Sequence, residues 1–553
     1  MIRTFRQHRI REEQELGGFW DVTLLSGKPM PEETHYKMGI PGCVESIPAL
    51  RRFQGRCAYE RSVILEEDGD YLLTCYGVSF LAEVYWDGEL LGTHYNAFSR
   101  FDLHIQNAKA GVHTLKINVD NSWNPEISAL HVPNDYNAYN GITRPIVLAK
   151  VPQSYIDWFQ LAPKKEDSGW SVDYRLCIRG RAEKEVRCTV TLAGQTVSQE
   201  IPAFEETCIV SGAIPCPDVT CWEPISPVLY EARAVLSGDG QQMDDLTERI
   251  GFRTVRVEGN EILLNNKPIF LKGFCRHEDF GNRGCALSVE SMMEDLQLMR
   301  EMGANSVRTS HYPNDVRFLD LCDELGMLVW EENHARGLSE EQMRHPNFDA
   351  QCAECIDKMI TYDYNHPSIY IWGILNECAS ETEYGRSCYE KQFAQIRSLD
   401  QSRPVTFASC KNFADLCFDL VDVVSMNVYP GWYHNTSPKK WVDDLKDWIA
   451  TTGGAGKPFL LSEFGAGAIY GYHDYGRCKW SEERQADILD AQLTDFLAPG
   501  YVNGTYIWQF ADCNVSEEIM RQRPKCENNK GVVDLYRRPK MAFDVVRKHY
   551  KNK

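Results

Sequence analysis

No run in this 553-residue chain approaches the ~20 consecutive apolar residues needed to cross a bilayer, and residues 1–10 are polar and basic. The expectation is a cytoplasmic protein with no membrane contact. Positive charge is also scarce: 59 Lys and Arg against 79 Asp and Glu leave a net charge of −20. Most of the surface would repel a polyanion, so no nucleic-acid partner is expected, and any anionic ligand needs a local cation. Low-complexity tracts, long linkers and repeats beyond a strand–helix alternation are missing. So are metal and redox signatures. The 20 cysteines are scattered without small-scaffold spacing, and Cys275, Cys322 and Cys378 sit in apolar elements, which fits reduced thiols. Cys352-Ala-Glu-Cys355 has no second C-x-x-C or histidine pair at ligand spacing, so chance is the better account of it. His277-Glu278 lacks the second histidine of an H-E-x-x-H helix, and no G-x-G-x-x-G follows a strand in the second half. No metal and no cofactor are expected.

What is there divides into three regions, a multidomain β and α/β chain too long for one core. Residues 1–152 read as a β-sandwich. Ala82 to Trp86 and Leu90 to Thr93 flank a hairpin signal at Asp87-Gly88-Glu89, and Thr114 to Val119 alternates with period two. Residues 153–256 continue in alternating strands at the size of an immunoglobulin-like β-sandwich. From 257 to 553 short apolar strands alternate with amphipathic helices. Strands are read at 269–274, 305–310, 328–332, 369–377, 405–409, 421–428, 459–464 and 506–511, with helices such as 291–302 and 316–325 between them. Eight such units predict a closed (β/α)8 TIM barrel, since each parallel strand needs a crossover and closure leaves no edge.

Two of those strands run straight into a glutamate: Trp372-Gly373-Ile374-Leu375-Asn376-Glu377 and Leu460-Leu461-Ser462-Glu463-Phe464-Gly465. At one rim of a parallel barrel such a pair is what glycosidic bond hydrolysis requires, a proton for the departing oxygen and a nucleophile for the anomeric carbon. In a retaining mechanism the carboxyls stand about 5 to 5.5 Å apart, and one forms a covalent glycosyl-enzyme. Like charges at that spacing resist joint ionisation, so one keeps its proton and serves as the acid. Glu377 is assigned acid/base and Glu463 nucleophile, with Asn376 placed to bond the sugar's 2-hydroxyl. The plain alternatives are two solvated strand ends and an asparagine that merely closes its strand.

Gly303-Ala304-Asn305-Ser306-Val307-Arg308-Thr309-Ser310-His311-Tyr312-Pro313, the lead Asn365-His366-Pro367-Ser368, and Ser462-Glu463-Phe464-Gly465 together resemble glycoside hydrolase family 2, and within it the β-glucuronidases. The resemblance covers nearly the whole chain. It implies a jelly-roll, sugar-binding-like β-sandwich, an immunoglobulin-like sandwich and the catalytic barrel, with retention of configuration. Asn528-Asn529-Lys530-Gly531 resembles the N-x-K motif of glucuronidases, in which Asn528 and Lys530 would bind the C6 carboxylate. A pocketed lysine is a desolvated cation in want of an anion, although an Asn-x-Lys on a solvated loop is common. The resemblance also implies that Asp135 reaches from the first sandwich to the sugar hydroxyls and that His277 contacts substrate. Tyr429 would bond the nucleophile, Asn427 and Tyr433 would border the sugar, and Trp508 would lie beneath its ring. Asp135 could instead form an Asx turn, and Tyr433 could be a packed aromatic. Arg308 and His311 look like supports behind the site. Arg523 departs from the usual spacing of the arginine that precedes N-x-K, so its role stays open. The connection 334–347 is short and polar where some family members carry a long overhanging loop, which suggests an open mouth that suits bulkier or oligosaccharide aglycones better than small ones.

The expected activity is exo-hydrolysis of β-D-glucuronides, small or oligosaccharide-linked, by a homo-oligomer. The rivals are the same machinery on β-galacturonides or, less well suited to Lys530, on galactosides or mannosides. A non-catalytic carbohydrate-binding protein is disfavoured, because both glutamates and Tyr429 are present.

Overall fold

The computed structural model describes residues 2–133, 135–167, 169–516 and 523–553. The first region pairs a six-stranded antiparallel sheet with a four-stranded one around an apolar cluster that includes Trp20, Phe53, Tyr59, Leu73 and Ile117. Its hairpin Leu81–Trp86 to Glu89–Tyr95 turns at Asp87-Gly88, both with positive φ (50° and 88°), as the Asp-Gly signal requires. The second region packs a three-stranded sheet against a four-stranded one over Phe159, Trp170, Tyr174 and Leu236. Trp222 belongs elsewhere: it is fully buried in a cluster that fills the barrel interior, and its indole donates to the Asp323 carbonyl at 2.9 Å.

The barrel closes through eight parallel strands: β1 (Leu271–Cys275), β2 (Ser306–Thr309), β3 (Leu328–Glu332), β4 (Ile369–Ile374), β5 (Val405–Ser409), β6 (Val424–Asn427), β7 (Phe459–Phe464) and β8 (Gly504–Ile507). Every expected strand exists; β3, β5 and β7 have the expected ends and the other five are shifted. β8 lies two residues earlier than its start in the sequence reading, so Trp508 stands just beyond the strand. β4 stops at Ile374, because Leu375 and Glu377 take left-handed backbone angles (φ 44° and 55°) that end the pleat. Helix Val316–Leu325 begins on an Asp315 side-chain cap and ends at Gly326 (φ 71°), where a Cβ would lie 2.1 Å from the Pro224 carbonyl. Among the described residues no helix is long and apolar enough to cross a membrane.

The loop 121–140 carries the first sandwich into the barrel mouth. Asn121 pins its base, with Nδ2 donating to the Phe53 and Ala138 carbonyls at 2.8 and 2.7 Å. Tyr136 and Tyr312 join Phe80, Ala97, Phe98 and Ala138 in one apolar cluster shared by sandwich and barrel. Beside it the buried Arg144 guanidinium binds Glu278 Oε2 at 2.8 Å and the Pro313 carbonyl at 2.7 Å. Replacing one partner of a buried pair strands the other charge, a loss of roughly 3–5 kcal/mol. Arg144→Met is therefore expected to lower the thermal unfolding midpoint by several degrees; an unchanged midpoint in calorimetry would refute this view of the sandwich–barrel contact.

Candidate active site

Strand ends bring the two glutamates to one rim. Glu463 lies inside β7 and is 4 % exposed. Glu377 stands three residues past β4, where its backbone N–H binds the Ala408 carbonyl at 2.9 Å, and the Asn376 N–H binds that of Ala335 at 3.1 Å. A cavity of about 240 Å³ is lined by both glutamates and by Asp135, Asn427, Tyr429, Tyr433, Trp508 and Lys530. His277, Asn376 and Asn528 are not on that lining but bond or pack against the groups that form it.

One buried guanidinium organises the floor. Arg308, fully buried, donates to both oxygens of Glu332 (3.0 and 2.9 Å), to Glu463 Oε1 (3.1 Å) and to Asn376 Oδ1 (2.9 Å). Expected as a support behind the site, it touches a glutamate directly. His311 braces Glu332 through Nδ1 at 2.8 Å, and its ring stacks on Trp508 at 4.9 Å with 14° between planes. Tyr429 donates to Glu463 Oε2 at 2.8 Å, so each oxygen of this carboxylate accepts one bond. Asn427 Nδ2 donates to Asn376 Oδ1 at 3.1 Å and to Glu377 Oε1 at 2.9 Å, while its own Oδ1 accepts from Ser462 at 2.8 Å. It positions Glu377 rather than merely bordering the cavity. Asn376 Nδ2 and His277 Nε2 are buried and have no hydrogen-bond partner among the described residues.

Burial, followed by the Glu377 charge, pushes Glu463 up to about 7 against the pull of Arg308, Arg336 and Tyr429. The sequence reading put the raised carboxyl on Glu377. Glu463 is the more deeply buried of the two, the side chain of Glu377 being 18 % exposed. Burial and neighbouring cations keep His277 and His311 well below their usual range, hence neutral.

At the other end Lys530 is 2 % exposed and donates to the Tyr433 hydroxyl at 2.7 Å. Its ammonium lies 5.2 and 5.0 Å from the ring centroids of Tyr429 and Tyr433. Among the described residues it forms no ion pair with a carboxylate, and burial, then Arg523, lowers its pKa. Asp135 is near but engaged: Arg523 Nη2 meets its two oxygens at 3.0 and 2.9 Å, and Arg336 Nη2 meets Oδ2 at 3.4 Å. Burial opposes ionisation of Asp135, yet Arg336, Arg523 and Lys530 hold it down at about 2. Arg523, whose role the sequence left open, thus braces Asp135, and it also donates to Asn528 Oδ1 at 3.2 Å. The turn that presents Lys530 needs Gly531, since a Cβ there would meet the Asp512 nitrogen at 2.2 Å.

Arg336 escaped the sequence reading. It follows β3 inside the connection read as short and polar, and Nη2 sits 3.6 Å from Glu377 Oε2 as well as beside Asp135. Cys410, Asn412, His434 and Trp441 also line the cavity unforeseen. All but Trp441 lie between named strands and helices, where periodicity carries no signal.

A closed parallel barrel with two glutamates at one rim, preceded by two sandwiches, defines a glycosidase. The chain belongs to glycosyl hydrolases family 2: the family's TIM barrel domain matches residues 255–553, and a further family 2 domain matches residues 154–253. A β-glucuronidase of Streptococcus agalactiae is 28 % identical over 620 residues, covering 99 % of this chain and 98 % of its own. A β-galacturonidase of Eisenbergiella tayi, solved bound to galacturonate, is 46 % identical with a TM-score of 0.96, covering 100 % of this chain and 99 % of its own. A β-D-glucuronidase of Dictyoglomus thermophilum is 27 % identical with a TM-score of 0.85 over 99 % and 98 %.

A buried cation without a carboxylate partner costs stability. Lys530→Met is expected to raise the unfolding midpoint, by about 1 kcal/mol or more in free energy. A lower midpoint would mean that Lys530 is already compensated within the protein.

Proposed function

We propose that this chain hydrolyses β-D-hexuronides with retention of configuration, and that it prefers the galacturonide. The observation that carries the reading is Lys530: a buried ammonium, without an ion-pair partner among the described residues, in the cavity that holds the glutamate pair. A substrate carboxylate at C6 would supply the missing charge, with the Asn528 amide as an added donor. A neutral hexoside would leave Lys530 unpaired, a loss on the order of 3–5 kcal/mol.

Galacturonide and glucuronide share that carboxylate and differ only in the direction of the 4-hydroxyl. The 46 % identity to the galacturonate-bound β-galacturonidase over the whole chain favours the first. The sequence-based expectation of a glucuronide remains the second reading, supported by the curated relative at 28 %.

In the proposed reaction Glu463 attacks the anomeric carbon while Glu377 passes a proton to the departing oxygen. Water then opens the glycosyl ester with Glu377 as base, the repulsion between the two carboxylates having ended when Glu463 was esterified. The reaction needs the pair's single proton on Glu377. The donors on Glu463, Arg308 and Tyr429, favour its ionised form. Asn376 Nδ2, buried without a partner among the described residues, suits the sugar's 2-hydroxyl, and Trp508 offers an apolar face beneath the ring.

Four nitrophenyl glycosides test the substrate: galacturonide, glucuronide, galactoside and glucoside, on wild type and Lys530→Ala. The variant should lose roughly 100-fold or more in kcat/KM on hexuronides and far less on neutral sugars. Equal loss on both classes would defeat the carboxylate clamp. The pH profile tests the nucleophile. Because only ionised Glu463 attacks, kcat/KM should fall as pH drops through about 7. Tyr429→Phe removes a bond to the ionised form and should move that limb to higher pH; a limb that stays in place would mean another group controls it.

A further inference from the structure

The glutamate cavity has a wall that sugar and carboxylate recognition leave unexplained. Asn412 follows β5, opposite β1 in the ring of eight strands and so opposite His277. Its backbone N–H closes a turn onto the Cys410 carbonyl at 2.9 Å, but its side-chain amide has no hydrogen-bond partner among the described residues, and Oδ1 is buried. Across the same cavity His434 lies flat on Trp441, with 4.7 Å between ring centroids and 10° between planes. Trp441 Nε1 is likewise buried without a partner. An amide with both its donor and its acceptor unused, lining one cavity with a flat aromatic stack, is how proteins hold a sugar: paired bonds to adjacent hydroxyls and an apolar face against C–H groups.

The wall stands where a leaving group must depart. Glu377 N–H is bonded to Ala408 in β5, two residues before Cys410, and among the charges that act on the Cys410 thiol that of Glu377 acts most strongly. The acid lies beside the bond it protonates, and Lys530 would hold the C6 carboxylate. The leaving group then projects from Glu377 toward Asn412 and the His434–Trp441 stack. Resting on the hexuronidase reading above, we propose that these residues form a subsite for a second sugar, so that the substrates are uronic-acid-ended disaccharides and longer oligosaccharides rather than small aryl conjugates. A flat aryl group could stack on His434 but would leave the Asn412 amide unused.

The test compares nitrophenyl β-galacturonide and β-glucuronide with disaccharides in which the same uronic acid is β-linked to a hexose. Wild type, Asn412→Ala and His434→Ala are assayed on all of them. Each variant should lose about tenfold more kcat/KM on the disaccharide than on the aryl glycoside. The subsite is overturned if the disaccharide-to-aryl ratio is unchanged in both variants, or if wild type prefers the aryl glycoside. Wild type inactive on every hexuronide would instead overturn the hexuronidase reading, and this inference with it.

Discussion

The guanidinium of Arg308 is fully buried and ties together several barrel strands or their ends, its acceptors including Glu332 in β3, Asn376 past β4 and Glu463 in β7. An ion this deep is tolerated only when its donors are satisfied in good geometry. Satisfying them fixes where Glu463 and Asn376 can stand. Glu377 is then located indirectly, through Asn427, which bridges Asn376 and Glu377 and is itself held by Ser462. Shifting any of these strands by one residue would leave a charge or an amide buried without a partner. The barrel register and the site geometry are in this sense the same constraint.

Charge is distributed unevenly around this floor. On one side Arg336 and Arg523 neutralise Asp135, and the loop that carries Asp135 is anchored in the first sandwich by Asn121. On the other, Lys530 is left with a phenol and two aromatic faces. A chain with a net charge of −20 that buries a lysine in this way keeps a positive well inside a negative surface. The sandwich is thus no mere appendage. It supplies Asp135, which keeps Arg336 and Arg523 engaged close to Lys530.

Much of this was legible in the sequence. The eight-strand alternation gave the barrel, and the Asn-Glu and Ser-Glu strand endings located the glutamates, because short strands with apolar runs carry a strong local signal. The misreadings have local causes. Strand β4 was drawn through Glu377 because nothing in Leu-Asn-Glu announces a left-handed turn. Trp222 falls inside the segment 153–256 read as a sandwich, yet it shares a buried cluster with Leu328 and Trp330, about 100 residues later in the chain. Arg336 and Asn412 were invisible because a lone polar residue in a loop has no periodicity, and only the folded chain shows what faces it. Arg523 could be flagged but not paired, since its partner Asp135 lies 388 residues away.

The central claim is that Glu463 forms the bond to the sugar while Glu377 manages the proton. A 2-deoxy-2-fluoro hexuronosyl fluoride slows both steps and lets the covalent intermediate accumulate, after which proteolysis and mass spectrometry identify the labelled side chain. The account requires one sugar per chain, attached to the peptide that contains Glu463. A label on Glu377 or any other residue, or no label while the fluoride is still turned over with inversion at the anomeric carbon, would contradict it.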